Sequence, residues 1–136
     1  MTDILIASHG HMASGMKSSI EILTGMGAQI VAVDAYVDES DYLPEIRQFV
    51  KNVTGPAVIF TDLLGGSVNQ KVILEAGNKP NIFIVSQMNL SIVMAVLLDT
   101  EELTIQRLQE LIKQSQVQLV TTKLDNSQTD DEDFFA

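Results

Sequence analysis

An alternation of short apolar runs with segments of helical periodicity constrains the fold of this chain most strongly. The apolar runs are rich in aliphatic and β-branched residues, as is typical of buried parallel strands. They cover residues 4–8, 30–35, 57–61 and 81–86. The alternation predicts an α/β fold: a doubly wound, mostly parallel sheet with right-handed crossovers and strand order 2-1-3-4.

The segments between and after these runs carry apolar residues at helical spacing. The predicted helices cover residues 14–24, 40–53, 67–76, 90–98 and 104–114, with Ser40 or Asp41 capping the second. Ile73 and Ile105 are predicted to face the core. Residues 117–122 alternate imperfectly, which is typical of an edge strand or of a strand exchanged between subunits of a dimer.

Length and charge limit the domain organisation and the partners. The 136 residues fit one domain, predicted to span residues 1–123. Residues 124–136 contain five acidic residues and no base, and are predicted to form a disordered acidic tail. The formal net charge of −10 disfavours broad contact with nucleic acid or anionic lipid, so no nucleic-acid partner is expected.

Several chemistries and locations are excluded by what the sequence lacks. There is no cysteine, which excludes disulfides, thiolate metal sites and cysteine catalysis. No apolar run approaches the roughly 20 residues needed to span a bilayer. The N-terminus lacks the basic segment of a signal peptide, so a cytoplasmic protein is expected. The chain has neither a Walker lysine motif nor a dinucleotide-binding glycine motif.

Two polar residues end two of the predicted strands: His9 follows strand 1, and Asp62 follows strand 3. Order 2-1-3-4 places the topological switch point between these strands, where ligands bind in doubly wound sheets. An aspartate that accepts a proton from one imidazole nitrogen fixes the tautomer and frees the other nitrogen to attack. The pair is therefore predicted to be catalytic and to carry a phosphoryl group.

The turn Gly65-Gly66-Ser67 lies after Asp62 and before a predicted helix. Glycines let the backbone approach an anion closely, and the first amides of a helix favour negative charge. These three residues are therefore predicted to bind the phosphoryl group. The Ser67 hydroxyl can act as a helix N-cap, as a phosphate donor, or as both in different states.

His11, Met88 and Asn89 are candidates for the rim of the pocket. His11 can polarise the site, contact a partner, or be an exposed loop residue without a role. Two histidines and one carboxylate can hold a metal. Because strand-end geometry brings His9 and Asp62 together without one, we expect no metal and no other cofactor.

In combination, Ser8-His9-Gly10 and residues 61–67 resemble the mannose-type enzyme IIA of the bacterial phosphoenolpyruvate:sugar phosphotransferase system. The resemblance covers about residues 3–122. It implies that His9 accepts a phosphoryl group from the carrier protein HPr and passes it to a IIB component. IIB then phosphorylates a sugar that enters through the membrane components IIC and IID.

The resemblance also implies roles for individual residues. Asp62 would hold the other ring nitrogen of His9, and Ser67 with the amides of Gly66 and Ser67 would contact the phosphoryl group. Family members are typically homodimers with an exchanged C-terminal strand, which maps to residues 117–122. No IIB sequence follows the domain, so IIB is expected to be a separate chain.

Two other functions are compatible with the same pattern. One is the phosphoryl-carrier subunit of a dihydroxyacetone kinase, which is commonly fused to an HPr-like sequence that this chain lacks. The other is a non-catalytic sensor that binds a small ligand at the strand edge. Phosphorylation by HPr separates a carrier from a sensor, because a sensor gains no acid-labile phosphate.

Overall fold

The computed structural model of the protein describes residues 1–122, in which four strands alternate with four α-helices and a fifth α-helix follows the fourth. The elements are β1 (Asp3–His9), α1 (Met12–Thr24), β2 (Ile30–Ala35), α2 (Leu43–Asn52), β3 (Ala57–Thr61), α3 (Ser67–Ala76), β4 (Ile82–Val85), α4 (Leu90–Leu98) and α5 (Ile105–Gln114). All strand pairs are parallel, and the order is β2-β1-β3-β4. The predicted fold class and strand order are confirmed.

The central strands β1 and β3 are buried on both faces and supply two hydrophobic cores. Side chains alternate between the faces of a strand, so neighbouring residues enter different cores. Ile4, Ile6 and Phe60 pack with apolar residues of α1, α4 and α5. Leu5, Ala7 and Ile59 pack on the other face with apolar residues of α2 and α3. The two layers of helices leave the carboxyl edge of the sheet open for a site.

The register of the strands brings three chain segments to that edge. Ala7 lies opposite Thr61 in β3, and His9 lies opposite Ala35 in β2. The residues that follow β1, β2 and β3 therefore emerge side by side. This is the position at which doubly wound sheets bind ligands.

The helix α2 begins at Leu43, three residues later than predicted. A turn occupies the preceding residues, since Asp38 accepts a hydrogen bond from the Ser40 amide at 2.8 Å. Asp41 accepts one from the Leu43 amide at 3.0 Å. Asp41 therefore satisfies an amide at the helix start, whereas Ser40 belongs to the turn.

The predicted inward orientation of two isoleucines is wrong. Ile73 of α3 and Ile105 of α5 are each about half exposed. The buried apolar side chains of α3 are Val68, Val72 and Ala76, at intervals of four residues, and Asn69 is buried beside them. Ile73 lies at the edge of this buried face, where the helix turns toward solvent.

Residues 117–122 form no strand, so the prediction that they extend this chain's own sheet is wrong. Val117, Leu119 and Val120 are 91%, 97% and 76% exposed. Within residues 1–122, β4 pairs only with β3, and its other edge is open. The predicted domain boundary after residue 123 and the acidic tail lie outside the described residues. None of the helices in residues 1–122 has the length and apolar character needed to cross a membrane.

Candidate functional site

The His9 ring lies at the end of β1 and is held by Asp62, which follows β3. His9 Nδ1 lies 2.7 Å from Asp62 Oδ2, and the His9 amide donates to the same oxygen at 2.8 Å. The Leu63 amide donates to the other carboxylate oxygen at 3.0 Å. The Asp62 side chain is 9% exposed and that of His9 is 43% exposed. A nearly buried carboxylate thus orients a half-exposed imidazole.

The Asp62 carboxylate is ionised at neutral pH. Burial raises its pKa, but hydrogen bonds from the amide and ring of His9 and from the Leu63 amide outweigh burial. The net pKa of Asp62 is therefore below the ordinary aspartate value. An ionised carboxylate can only accept hydrogen bonds, so the network assigns the ring proton to His9 Nδ1. In the neutral imidazole, His9 Nε2 then carries the free lone pair.

Ser67 lies beside that second nitrogen, with its Oγ 3.3 Å from His9 Nε2. It is the first residue of α3, and the N-cap residue is Gly66. The interpretation of Ser67 as a helix N-cap is therefore wrong. Because Nε2 has no proton in this tautomer, the Ser67 hydroxyl donates to it. Its oxygen remains able to accept a hydrogen bond from another group.

The glycine turn packs closely against the imidazole. Gly65 has a φ of +77°, a conformation that favours glycine. A Cβ added at Gly66 would lie 3.4 Å from the Leu63 Cβ and 3.7 Å from His9 Cε1. A larger side chain at position 66 would therefore extend beside the His9 ring.

The amides of the two glycines are used inside the turn. The Gly65 amide donates to the Asn69 side chain at 3.1 Å, and the Gly66 amide donates to the Leu63 carbonyl at 3.2 Å. In this conformation the Gly66 amide is therefore already engaged, and it does not point to a phosphoryl group as the resemblance implied. The helix α3 begins at Ser67, so its first amides have no acceptor within the helix and favour an anion.

Tyr36 also lies in this site, although no motif or periodicity in the sequence marks it. It follows β2 with a φ of +65°, which is uncommon for a bulky residue and costs about 1–3 kcal/mol. Its ring centroid lies 5.3 Å from that of His9, and its hydroxyl lies 2.9 Å from Ser67 Oγ. The only signal in the sequence was a polar aromatic residue directly after a strand that ends at the same edge.

His11 forms a second pair with a carboxylate, nearer the solvent. Its Nδ1 lies 3.1 Å from Asp34 Oδ2, and its side chain is 80% exposed. Asp34 also accepts from the amide and the hydroxyl of Ser14, at 3.0 and 2.6 Å. Burial raises the pKa of Asp34, but the bonds from Ser14 and His11 outweigh burial and lower it. Asp34 thus joins β2 to the start of α1 and holds His11 at the periphery.

Met88 and Asn89, the other two candidates for the pocket rim, have structural roles instead. Met88 is 5% exposed and packs in the core, so its prediction as a rim residue is wrong. The Asn89 side chain accepts from the Ile92 amide at 2.8 Å and donates to the Ser115 carbonyl at 2.7 Å. Asn89 therefore caps α4 and ties it to the end of α5. Over residues 1–122, no group of three or more metal-binding side chains comes together.

Comparison with known proteins places this geometry in a family. Residues 3–127 match the family model of the mannose-type enzyme IIA, described as the PTS system fructose IIA component. The chain belongs to this family. The family resemblance stated from the sequence is confirmed. Members of this family act in phosphoryl transfer within sugar phosphotransferase systems and work in general with HPr and IIB components.

Solved structures of related proteins have the same fold. A protein from Klebsiella pneumoniae, described as a permease of a phosphoenolpyruvate-dependent sugar phosphotransferase system, is 26% identical with a TM-score of 0.72; the match covers 82% of this chain and 84% of that one. Component EIIA from Streptococcus agalactiae is 27% identical with a TM-score of 0.64, covering 85% and 92%. The mannose/sorbose IIA subunit from Enterococcus faecalis is 18% identical with a TM-score of 0.71, covering 91% and 98%, and shows the fold alone. A search of curated proteins found no match.

Proposed function

We propose that this IIA protein is a histidine phosphocarrier in which His9 Nε2 accepts a phosphoryl group from phosphorylated HPr and passes it to a IIB component. The observation that carries the proposal is the bond of 2.7 Å between His9 Nδ1 and Asp62. This hydrogen bond engages Nδ1 and leaves Nε2 as the nucleophile. IIB would then serve a sugar that enters through membrane components IIC and IID.

The proposed transfer forms one P–N bond and breaks one bond in the donor. The lone pair of His9 Nε2 attacks phosphorus as the bond to the donor side chain breaks, and that side chain keeps the bonding pair. The metaphosphate-like transition state needs positioning and charge stabilisation more than covalent chemistry. The His9 ring becomes positively charged as it takes the phosphoryl group, and the Asp62 carboxylate stabilises this charge. Ser67 and the first amides of α3 would stabilise the phosphoryl oxygens.

The surface around His9 suits a protein donor. Five apolar or aromatic side chains near the strand ends are about half exposed or more: Met12, Tyr36, Val37, Leu63 and Leu64. Exposed apolar residues gathered around a polar site are typical of a protein-interaction surface. The net charge of −10 favours a partner with a basic patch, because complementary charge accelerates encounter.

Reconstitution with phosphoenolpyruvate, enzyme I and HPr tests the proposed function. We expect the protein to gain one acid-labile phosphate and to lose it when an unphosphorylated IIB is added. Absence of labelling by phosphorylated HPr would contradict the proposal and favour the ligand sensor. Labelling followed by transfer to the dihydroxyacetone kinase machinery, with none to any IIB, would favour the kinase subunit.

We further propose that the protein is a homodimer in which residues 117–122 add to a sheet edge of the partner subunit. Val117, Leu119 and Val120 are almost fully exposed in the single chain, and β4 has an open edge. An exposed apolar segment and an unpaired strand edge both favour association. Exchange of the segment would pair the edge and bury these side chains.

Truncation separates the contribution of this segment from that of the acidic residues beyond it. Removing residues 117–136 should convert the dimer to a monomer, measured by sedimentation. Removing only residues 124–136 should leave the dimer intact, since that stretch carries five acidic residues and no base. A full-length chain that sediments as a monomer at micromolar concentration would contradict the proposed dimer.

A further inference from the structure

We propose that Tyr36 is a positioning residue that holds the Ser67 hydroxyl against His9 Nε2 and covers the face of the imidazole. The inference deepens the proposed function and rests on it for the biological donor. Its structural part, the link from Tyr36 through Ser67 to His9, is a property of the protein before phosphorylation and can be measured separately.

Each hydrogen bond that links Tyr36, Ser67, His9 and Asp62 can be assigned a donor and an acceptor. Asp62 accepts the proton of His9 Nδ1, so Nε2 of the neutral ring accepts the Ser67 hydroxyl at 3.3 Å. Ser67 has then used its only proton, and its oxygen must accept the Tyr36 hydroxyl at 2.9 Å. Tyr36 thus orients the Ser67 proton toward the nucleophilic nitrogen through one shared oxygen.

The backbone conformation of Tyr36 supports a functional role for its contact with Ser67. A φ of +65° is a sparsely populated conformation for tyrosine, and such residues cluster at functional sites. The side chain is 53% exposed, so burial of the ring in the core does not explain the conformation. Instead, the ring lies 5.3 Å from the His9 ring at an interplanar angle of 34°.

The ammonium group of Lys71 lies near the Tyr36 ring. Lys71 Nζ lies 5.9 Å from the centroid of Tyr36 and 5.2 Å from that of Tyr42. A cation over an aromatic face is attracted by the ring quadrupole. The positive charge of Lys71 near the ring makes the Tyr36 hydroxyl a better hydrogen-bond donor to Ser67.

The same arrangement serves the phosphorylated state. When His9 Nε2 forms its bond to phosphorus, the Ser67 proton loses its acceptor and turns to a phosphoryl oxygen. The Ser67 oxygen still accepts from Tyr36, so the serine stays at the same place. Tyr36 would therefore keep the Ser67 donor aligned both before and after transfer.

A double-mutant cycle between Tyr36→Phe and Ser67→Ala tests this coupling. The phenylalanine retains the ring and loses only the hydroxyl. We expect Tyr36→Phe to slow phosphorylation of His9 about fivefold to tenfold, the effect of losing one hydrogen bond. In the Ser67→Ala background, Tyr36→Phe should have no further effect, because the hydroxyl acts through Ser67. Additive effects on the rate would overturn the proposal.

Two measurements exclude a merely structural role for Tyr36. The 15N resonance of His9 Nε2 in the unphosphorylated protein should shift in Tyr36→Phe toward its position in Ser67→Ala. The melting temperature should stay within about 2 °C of the wild type, since the lost hydroxyl is at the surface. Tyr42→Phe is the matched control, because its hydroxyl contacts Tyr36 at 3.4 Å and is one step further from His9. An unshifted resonance in Tyr36→Phe, or an equal shift in Tyr42→Phe, would overturn the proposal.

Phosphoramidate as an alternative donor separates this inference from the proposed function. In that reaction Nε2 bonds to phosphorus, the P–N bond of the donor breaks, and the leaving nitrogen takes a proton to become ammonia. If phosphorylated HPr does not label the wild type, the phosphocarrier proposal fails. The rates with phosphoramidate and the resonance of His9 still decide whether Tyr36 acts through Ser67.

Discussion

His9→Ala should accept no phosphoryl group from phosphorylated HPr, while His11→Ala should be labelled at a rate close to that of the wild type. The two histidines provide a matched pair, since each has its Nδ1 near an aspartate. They differ in what faces Nε2: Ser67 and the start of α3 lie beside His9, whereas the ring of His11 is mostly in solvent. Of the two histidines, only His9 has hydrogen-bond donors nearby for the phosphoryl oxygens.

The His9→Ala protein should remain folded, which makes the loss of labelling interpretable. The side chain is half-exposed, and Asp62 keeps hydrogen bonds from the amides of residue 9 and Leu63 after the ring is removed. We expect a cooperative thermal transition near that of the wild type. Normal labelling of His9→Ala, together with loss of labelling in His11→Ala, would show that the acceptor was assigned to the wrong histidine.

The central strands β1 and β3 were predictable because they are buried on both faces. The apolar run in β3 has no amphipathic alternative, and the predicted bounds of both β2 and β3 match the structure. The predicted bounds of α3 and α4 also match. Where an element meets solvent, as at the start of α2, local hydrogen bonds of Asp38 and Asp41 decided the boundary, and propensity did not reveal them.

The site was predictable only where strand order alone brings residues together. His9 and Asp62 follow adjacent strands, so the topology places them side by side. Tyr36 enters the site through a positive φ after β2, and no periodicity encodes that conformation. Residues 117–122 show a related limit. Their pattern favours a strand, but in the single chain they leave the open edge of β4 unpaired, because the pattern of a segment does not determine which edge it pairs with.

The two aspartates near the histidines differ in what they contact and not in burial. The Asp62 side chain is 9% exposed and accepts hydrogen bonds from the amide and ring of His9 and from the Leu63 amide. The Asp34 side chain is 16% exposed and accepts from Ser14 and His11. A carboxylate in direct contact with the His9 ring interacts more strongly with a positive charge that develops there than a carboxylate farther away. The catalytic contribution of a carboxylate should therefore be much larger at Asp62 than at Asp34.

Asp62→Asn should slow single-turnover transfer from phosphorylated HPr by about 10²-fold or more, as with other positioned acid–base pairs. The amide has one acceptor oxygen, which would turn toward the two donors of His9. Its NH₂ group would then face the Leu63 amide, so one backbone hydrogen bond is lost as well as the charge. Asp34→Asn is the matched control and should change the rate less than threefold.

The pH dependence of the wild type gives an independent check on Asp62. Its pKa in the folded protein is below the ordinary value of 3.8. The ionised carboxylate therefore stabilises the fold above about pH 4, and this contribution is lost as the pH falls through the folded pKa. The stability difference between wild type and Asp62→Asn should accordingly be full at neutral pH and shrink only below pH 4. A transfer rate in Asp62→Asn equal to that of Asp34→Asn would show that the carboxylate orients the ring without stabilising its charge.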